Sequence, residues 1–388
     1  MPGRELADLL AGMSRARMDR RSFLATTGLV GVGAALAACS GSVPSGSGTP
    51  SAGPSGGSVE EDLWMLNWSE YVAPENMDAF KAEYGVKTFS YDIFSSDDEL
   101  LAKLVGGASG YDIAAPTALF LPQLVERGYL QKLDFSRIPN FALIDPVFLG
   151  QKWDPNNEYH IPKDFGTTGI LYRSKVVKEP VTSWREFYDL AVGKYSGRVV
   201  VVDSALDVLP MPLKMLGYSL NSVDPKELAE AEKLLLDLAP HILAIDSDTY
   251  QDKLASEEAV LALGWTGPLS SLRADPATAD IRYVLPSEGT LFWVDAWVLF
   301  AEAPHPNAAY AWFDFIERPA IQAAESVFTG YGTPNVEAKK LLPQEMLDDP
   351  AIFPPEDVMA KLEGADPAIA DNDARVAIWT SFKSSLGG

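Results

Sequence analysis

From residue 63 onward, short apolar runs alternate with capped helical segments, and this alternation restricts the chain to an α/β fold. Residues 63–67 read as a strand. Pro74 at a first helical position and Gly85 as a closing residue bracket a helix over 75–84. Residues 86–91 alternate like a strand, and Ser96 with Glu99 forms a capping box for a helix through Val105, stopped by Gly106 and Gly107. Residues 111–115 are the next strand, ended by Pro116, and 117–127 read as a helix. A second set follows, with strands at 169–172 and 199–202 and helical periodicity at 204–217 and 224–238. Such units imply a largely parallel sheet with helices on its faces, and its ligands bind at the carboxyl ends of strands. Trp68-Ser69-Glu70-Tyr71 and Pro116-Thr117-Ala118-Leu119 follow strands and are therefore the first places to look for a site. Some 330 globular residues are more than one core usually supports, about 250–300, so two lobes are expected.

The segment before residue 59 carries an address. Asp19-Arg20-Arg21-Ser22-Phe23-Leu24 precedes a mildly apolar run, 25–38, that ends in Leu36-Ala37-Ala38-Cys39. A run this short, with a basic flank and small residues at its end, reads as a signal peptide over 1–38. The arginine pair resembles a twin-arginine export signal. Leu-Ala-Ala-Cys resembles a bacterial lipobox, in which Cys39 is acylated and becomes the mature N-terminus. A retained anchor helix with a chance cysteine is the alternative. Residues 39–58 are then a tether rich in Ser, Gly and Pro, with a reach of roughly 25 Å. Together these place the protein outside the cytoplasm, lipid-anchored on the outer face of the cytoplasmic membrane.

Charge and composition exclude several functions. Lys+Arg is 31 and Asp+Glu 54, a net charge of −23. Removal of 1–38 leaves 26 basic and 51 acidic residues, a net charge of −25. Such a surface repels phosphate and argues against nucleic acid as a partner. One cysteine excludes an internal disulfide, and His160, His241 and His305 have no metal-ligand spacing. No metal or cofactor is expected. Gly-x-Ser-x-Gly, His-Glu-x-x-His and P-loop patterns are absent. Acid–base chemistry would rest on carboxylates, so an exported carboxylate-dependent hydrolase is the enzymatic alternative.

Two acids stand in informative places. Asp295 lies in the middle of a nearly continuous apolar strand, 290–300. An unpaired buried charge costs several kcal/mol, so Asp295 requires a partner. Either it pairs with a protein cation or sits at a strand end, or it is a counter-ion for a cationic ligand. Asp207 follows the apolar run 199–202 and is either an ordinary first-turn acid or part of a site. Trp68, Tyr71, Trp265 and Trp293 lie near strand ends. Core packing accounts for isolated aromatics, but four beside strand-end acids suggest a box for a cation.

Asn67-Trp68-Ser69-Glu70-Tyr71-Val72 resembles the opening strand and turn of the spermidine/putrescine-binding proteins of ABC transporters. So do 111–116, 154–157 with Ile161-Pro162, 181–184, 264–267, 288–295 and Gly330-Tyr331-Gly-Thr-Pro-Asn335, in the family's order across 63–388. The resemblance implies a two-lobed periplasmic-binding-protein-like fold, each lobe a mixed, mostly parallel sheet flanked by helices, with two crossover segments. Lobe one would be 59–168 plus 295–339, and lobe two 169–294 plus 340–388. The family's aromatic walls fall on Trp68, Tyr71, Trp265 and Trp293, and its carboxylate on Asp295. A second acidic pair falls on Ser204 and Asp207, and polar contacts on Ser69 and Thr117, with Glu70 beside them. Ser204 replaces a typical Asp, Asp207 a longer Glu, and Leu119 a pocket Tyr. Lys163 and Phe165 replace aromatic residues, and Asp371 takes the place of a Gln. In the cleft Lys163 repels a polyamine; pointing to solvent it does not.

The resemblance implies a monomeric, non-enzymatic substrate-binding protein of an ABC importer. It would capture putrescine or spermidine between its lobes and pass it to the membrane permease. The same transport role for another small amine or a zwitterion is the alternative, and a structural or adhesin protein without a small ligand is the third reading.

Overall fold

The computed structural model describes residues 57–386. The signal peptide, Arg20, Arg21, Cys39 and nearly all of the tether lie outside the described residues. Ten strands are present among those described: β1 (Asp62–Asn67), β2 (Thr88–Ile93), β3 (Ile113–Ala114), β4 (His160–Arg173), β5 (Val199–Val201), β6 (Ile242–Ile245), β7 (Leu261–Trp265), β8 (Ile281–Val284), β9 (Leu291–Leu299) and β10 (Glu363–Gly364). They join in the order β2-β1-β3-β9-β4-β7-β5-β6, with β10 beside β9 and β8 beside β4.

This continuous sheet has two parallel ends. β1 pairs in parallel with β2 and β3, and β5 with β6 and β7. Two antiparallel strands join them. The first half of β4, His160 to Thr167, lies against β9, while Thr168 to Tyr172 lies against β7. β4 therefore passes from one half of the molecule to the other. Each half has its own core. One is built around Phe80, Trp297, Trp312, Phe313 and Phe315, the other around Trp184, Phe187, the valines 199–202 and Leu261 to Leu263. The expected two-lobed α/β fold is what the chain adopts.

Local signals in the sequence fix several elements. Gly85 ends the helix Pro74–Tyr84 with φ 74°, the left-handed region that glycine enters without a Cβ penalty. Ser96 caps the helix Asp97–Val105 by accepting from the Glu99 amide. Prolines divide two expected helices. Residues 117–127 form a 3-10 turn, Ala118–Phe120, followed by the helix Leu121–Glu126 with proline in its first turn. Residues 204–217 split into Ala205–Val208 and Pro210–Met215, because Pro210 lacks the amide a continuous helix needs. The strand expected at 169–172 is only the end of β4. Pro162, Lys163, Asp164 and Gly166 hide its first half, and a register shift between Pro162 and Asp164 accommodates them.

Candidate functional site

The site begins where β1 ends. Asn67 accepts from the Trp68 amide, and Trp68 Nε1 donates to Ala115 O at 2.8 Å, which ties the turn to the end of β3. The Tyr91 hydroxyl donates to Trp68 O and accepts from the Tyr71 amide. Glu70 completes the turn at φ 53°, a conformation that costs a non-glycine residue free energy. The outcome is that Tyr71 points inward and is buried.

Tyr71 meets two carboxyl groups. Its hydroxyl lies 2.7 Å from Asp164 Oδ1 and 2.6 Å from Asp295 Oδ2. Asp164 and Asp295 are register partners on β4 and β9, so they share a sheet face. Asp295 is 5% exposed, and its Oδ1 has no hydrogen-bond partner. Burial, and next the charge of Asp164, push Asp295 up to about 8, against smaller opposing effects of Tyr71, Lys163 and the Thr117 side chain. Thr117 bridges to Asp295 through the backbone, and its amide donates to Asp97 Oδ1 at 2.9 Å. Burial, followed by the charge of Asp295, raises Asp97 as well.

Lys163 is the cation of this group, and it lies not in solvent but against the Tyr71 ring. It is 2% exposed, with Nζ 2.6 Å from Asp164 Oδ2 and 3.6 Å from the centre of the Tyr71 ring. The register shift in β4 turns it inward beside Asp164, where it pairs with the chain's own carboxylate.

The walls come from both halves. The ring of Trp293 lies over Gly166, where a Cβ would come within 2.4 Å of it, so only glycine leaves room. Tyr331 stands edge-on to Trp293 at 4.9 Å and to Tyr71 at 5.8 Å. Trp68 from one half meets Trp265 from the other edge to face, with centroids 6.1 Å apart. Leu119, Tyr71, Trp293 and Tyr331 form one apolar cluster, with Trp68 and Trp265 packed against it.

The second half contributes one carboxylate. Asp207 is buried, and its Oδ1 accepts from Thr168 Oγ1 and from Trp265 Nε1, the latter at 3.0 Å. Ser204 Oγ accepts from the Asp207 amide at 3.3 Å, so it serves as a helix cap. Burial raises Asp207, partly offset by hydrogen bonds from Ser204, Thr168 and Trp265.

Other expected site residues stand elsewhere. Ser69 and Glu70 are exposed on the turn. Phe165 lies on the face opposite Asp164 and stacks on Phe148 at 5.1 Å over Gly332. Asp371 is exposed, one residue beyond Ala370, which packs on the Trp293 and Tyr331 cluster. Sequence reasoning missed Asp164, Asp97, Tyr91 and Tyr331. Gly330-Tyr331-Gly332 was a usable signal, since glycines flanking an aromatic mark a close approach. Asp164 had none, because neighbours in a regular strand face opposite sides and only the register shift brings Lys163 onto it.

An acid within aromatic faces at each end suits a ligand with ammonium groups, since a ring face and a carboxylate both favour cations. Among the described residues no cluster of three or more His, Cys, Asp or Glu could hold a metal ion. No described helix is long and apolar enough to cross a membrane.

A family model described as bacterial extracellular solute-binding protein matches residues 75–354. The chain is 36% identical over 296 residues to the spermidine/putrescine-binding periplasmic protein of Escherichia coli strain K12, covering 75% of this chain and 83% of the relative. It is 32% identical over 341 residues to a putrescine/agmatine-binding protein of Pseudomonas aeruginosa, covering 84% and 93%. The spermidine/putrescine ABC transporter substrate-binding protein of Streptococcus pneumoniae superposes with a TM-score of 0.69 at 31% identity, covering 84% of this chain and 99% of that one.

Proposed function

The chain belongs to the bacterial extracellular solute-binding proteins, and from that premise we propose that it captures a polyamine, putrescine or spermidine, for an ABC importer. The ligand is held between two lobes, about 59–168 plus 295–339 and 169–294 plus 340–388, and passed to the membrane permease. It is bound stoichiometrically, without turnover. The observation that carries this reading is Asp295 Oδ1, a buried carboxylate oxygen without a partner, on the strand that carries Trp293. Its relatives' printed names, which include spermidine, putrescine and agmatine, support a cationic ligand.

The two ends carry few charges. Asp164 is paired internally with Lys163, Asp97 is turned to the Thr117 amide, and Ser204 is a cap, so Asp295 is left to meet a ligand at the first end and Asp207 at the second. One acid per end suits a diamine, and putrescine leads. Another small amine, or a zwitterion, is the second reading. Trp68, Tyr71, Trp265 and Trp293 enclose the carbon chain, and Thr117 orients the first end. The protein acts as a monomer, exported through its twin-arginine leader and anchored by a lipid on Cys39. Titration calorimetry against putrescine, spermidine, agmatine and amino acids tests the reading. Tight binding of a diamine supports it, and binding of amino acids alone overturns it.

A further inference from the structure

The Tyr71 hydroxyl has one hydrogen, yet it lies within 2.7 Å of two carboxyl oxygens, Asp164 Oδ1 and Asp295 Oδ2. It donates to one. Were both acids ionised, the other would set an anionic oxygen against a hydroxyl lone pair in a site that excludes water. The second contact is satisfied when the carboxyl itself donates. Lys163 is bonded to the other oxygen of Asp164, which holds Asp164 as the anion. The donor is therefore Asp295.

We propose that Asp164, Tyr71 and Asp295 hold one proton in the ligand-free protein, and that a ligand ammonium binding at Asp295 displaces it to solvent. An O–H bond of Asp295 breaks, an ammonium–carboxylate pair forms, and charge balances as one cation enters and one leaves. Asp164 is then a positioning residue: it touches no ligand, but it decides how many protons the site exchanges.

The groups facing Asp295 agree with a retained proton. Asp164 and Lys163 come from β4, Tyr71 from the turn after β1, Asp97 from its helix, and Tyr331 from the segment after residue 329. Behind Lys163 stand Glu317 and Glu325, both buried and raised chiefly by that burial. Lys163 is the one cation near this many acids within the described cluster. The raised value of Asp295 points the same way. An alkyl ammonium ionises near pH 10 and stays charged over the range concerned.

The inference rests on the proposed function for the ligand's charge but not for the proton. Calorimetry with putrescine in two buffers of different ionisation heat measures protons released. Near pH 7 wild type should release most of one proton, and its affinity should rise about tenfold per pH unit below the Asp295 value. In Asp164→Asn, Tyr71 donates to Asp295 without competition, so release should fall towards zero and the pH slope flatten. A ligand-free arm needs no binding: the infrared band of protonated carboxyl at pH 7 should diminish in Asp295→Asn. If putrescine does not bind, the proposed function fails while the infrared comparison still decides the proton. No proton release by wild type, release undiminished in Asp164→Asn, or an infrared band unchanged in Asp295→Asn each overturns the proposal.

Discussion

The Lys163 ammonium lies 2.6 Å from Asp164 Oδ2, behind the Tyr71 ring. A lysine so placed neither repels a ligand across the cleft nor sits idle in solvent; it neutralises an acid the fold has buried. Lys163→Gln leaves that acid unpaired and should cost roughly 3–5 kcal/mol of folding stability. Lys163→Gln with Asp164→Asn should recover most of it. Thermal melts of the three proteins check this. A single variant that melts like wild type would show the pair to be unimportant.

The Trp293 wall depends on the missing Cβ of Gly166. Gly166→Ala places a methyl within 2.4 Å of the indole and should displace it, an overpacking cost of about 1–3 kcal/mol. Putrescine affinity should fall at least tenfold while the far-ultraviolet circular dichroism spectrum stays the same. Trp265→Ala should cost at least ~1–2 kcal/mol of binding through lost contact with the cation. Unchanged affinity in both would remove the aromatic walls from the account.

Burial raises Asp295, so the folded chain holds a proton that the unfolded chain has released. The stability this contributes is complete below the ordinary value of 3.8 and is lost as pH rises through about 8. Ligand-free Asp295→Asn should therefore lose less stability than wild type between pH 5 and 8, and should melt higher at the alkaline end. Denaturation curves across that range test it, and identical pH slopes would contradict it.

Anchoring is a separate test. Cys39→Ser should release mature protein to the soluble extracytoplasmic fraction or leave uncleaved precursor, since stable attachment needs acyl chains. Arg20→Lys with Arg21→Lys should cause cytoplasmic accumulation. Cell fractionation reads both, and a Cys39→Ser protein that is processed and still membrane-bound sinks the lipid assignment.

Much of the fold was legible because its signals are local. Gly85, Ser96 with Glu99, and the apolar run around Asp295 each act within a few residues, and each took its expected form. Elements were misjudged where a proline or a long-range pairing decided the outcome. Pro210 divided a periodic segment, and the first half of β4 became a strand only because β9 lies beside it. The site followed the same rule. Asp295 declared itself as a charge inside an apolar strand. Asp164 carries no such local signal: its role depends on Tyr71, 93 residues away in sequence, and on the register shift that turns its neighbour Lys163 to the same side.

The most direct test is titration calorimetry of putrescine into wild type and Asp295→Asn under one buffer and salt concentration. The account predicts tight one-to-one binding by wild type and a loss of roughly 2–5 kcal/mol in the variant, the usual cost of breaking a buried charge pair, with the fold retained. An Asp295→Asn protein that binds putrescine as tightly as wild type would make this carboxylate structural and contradict the account of the site.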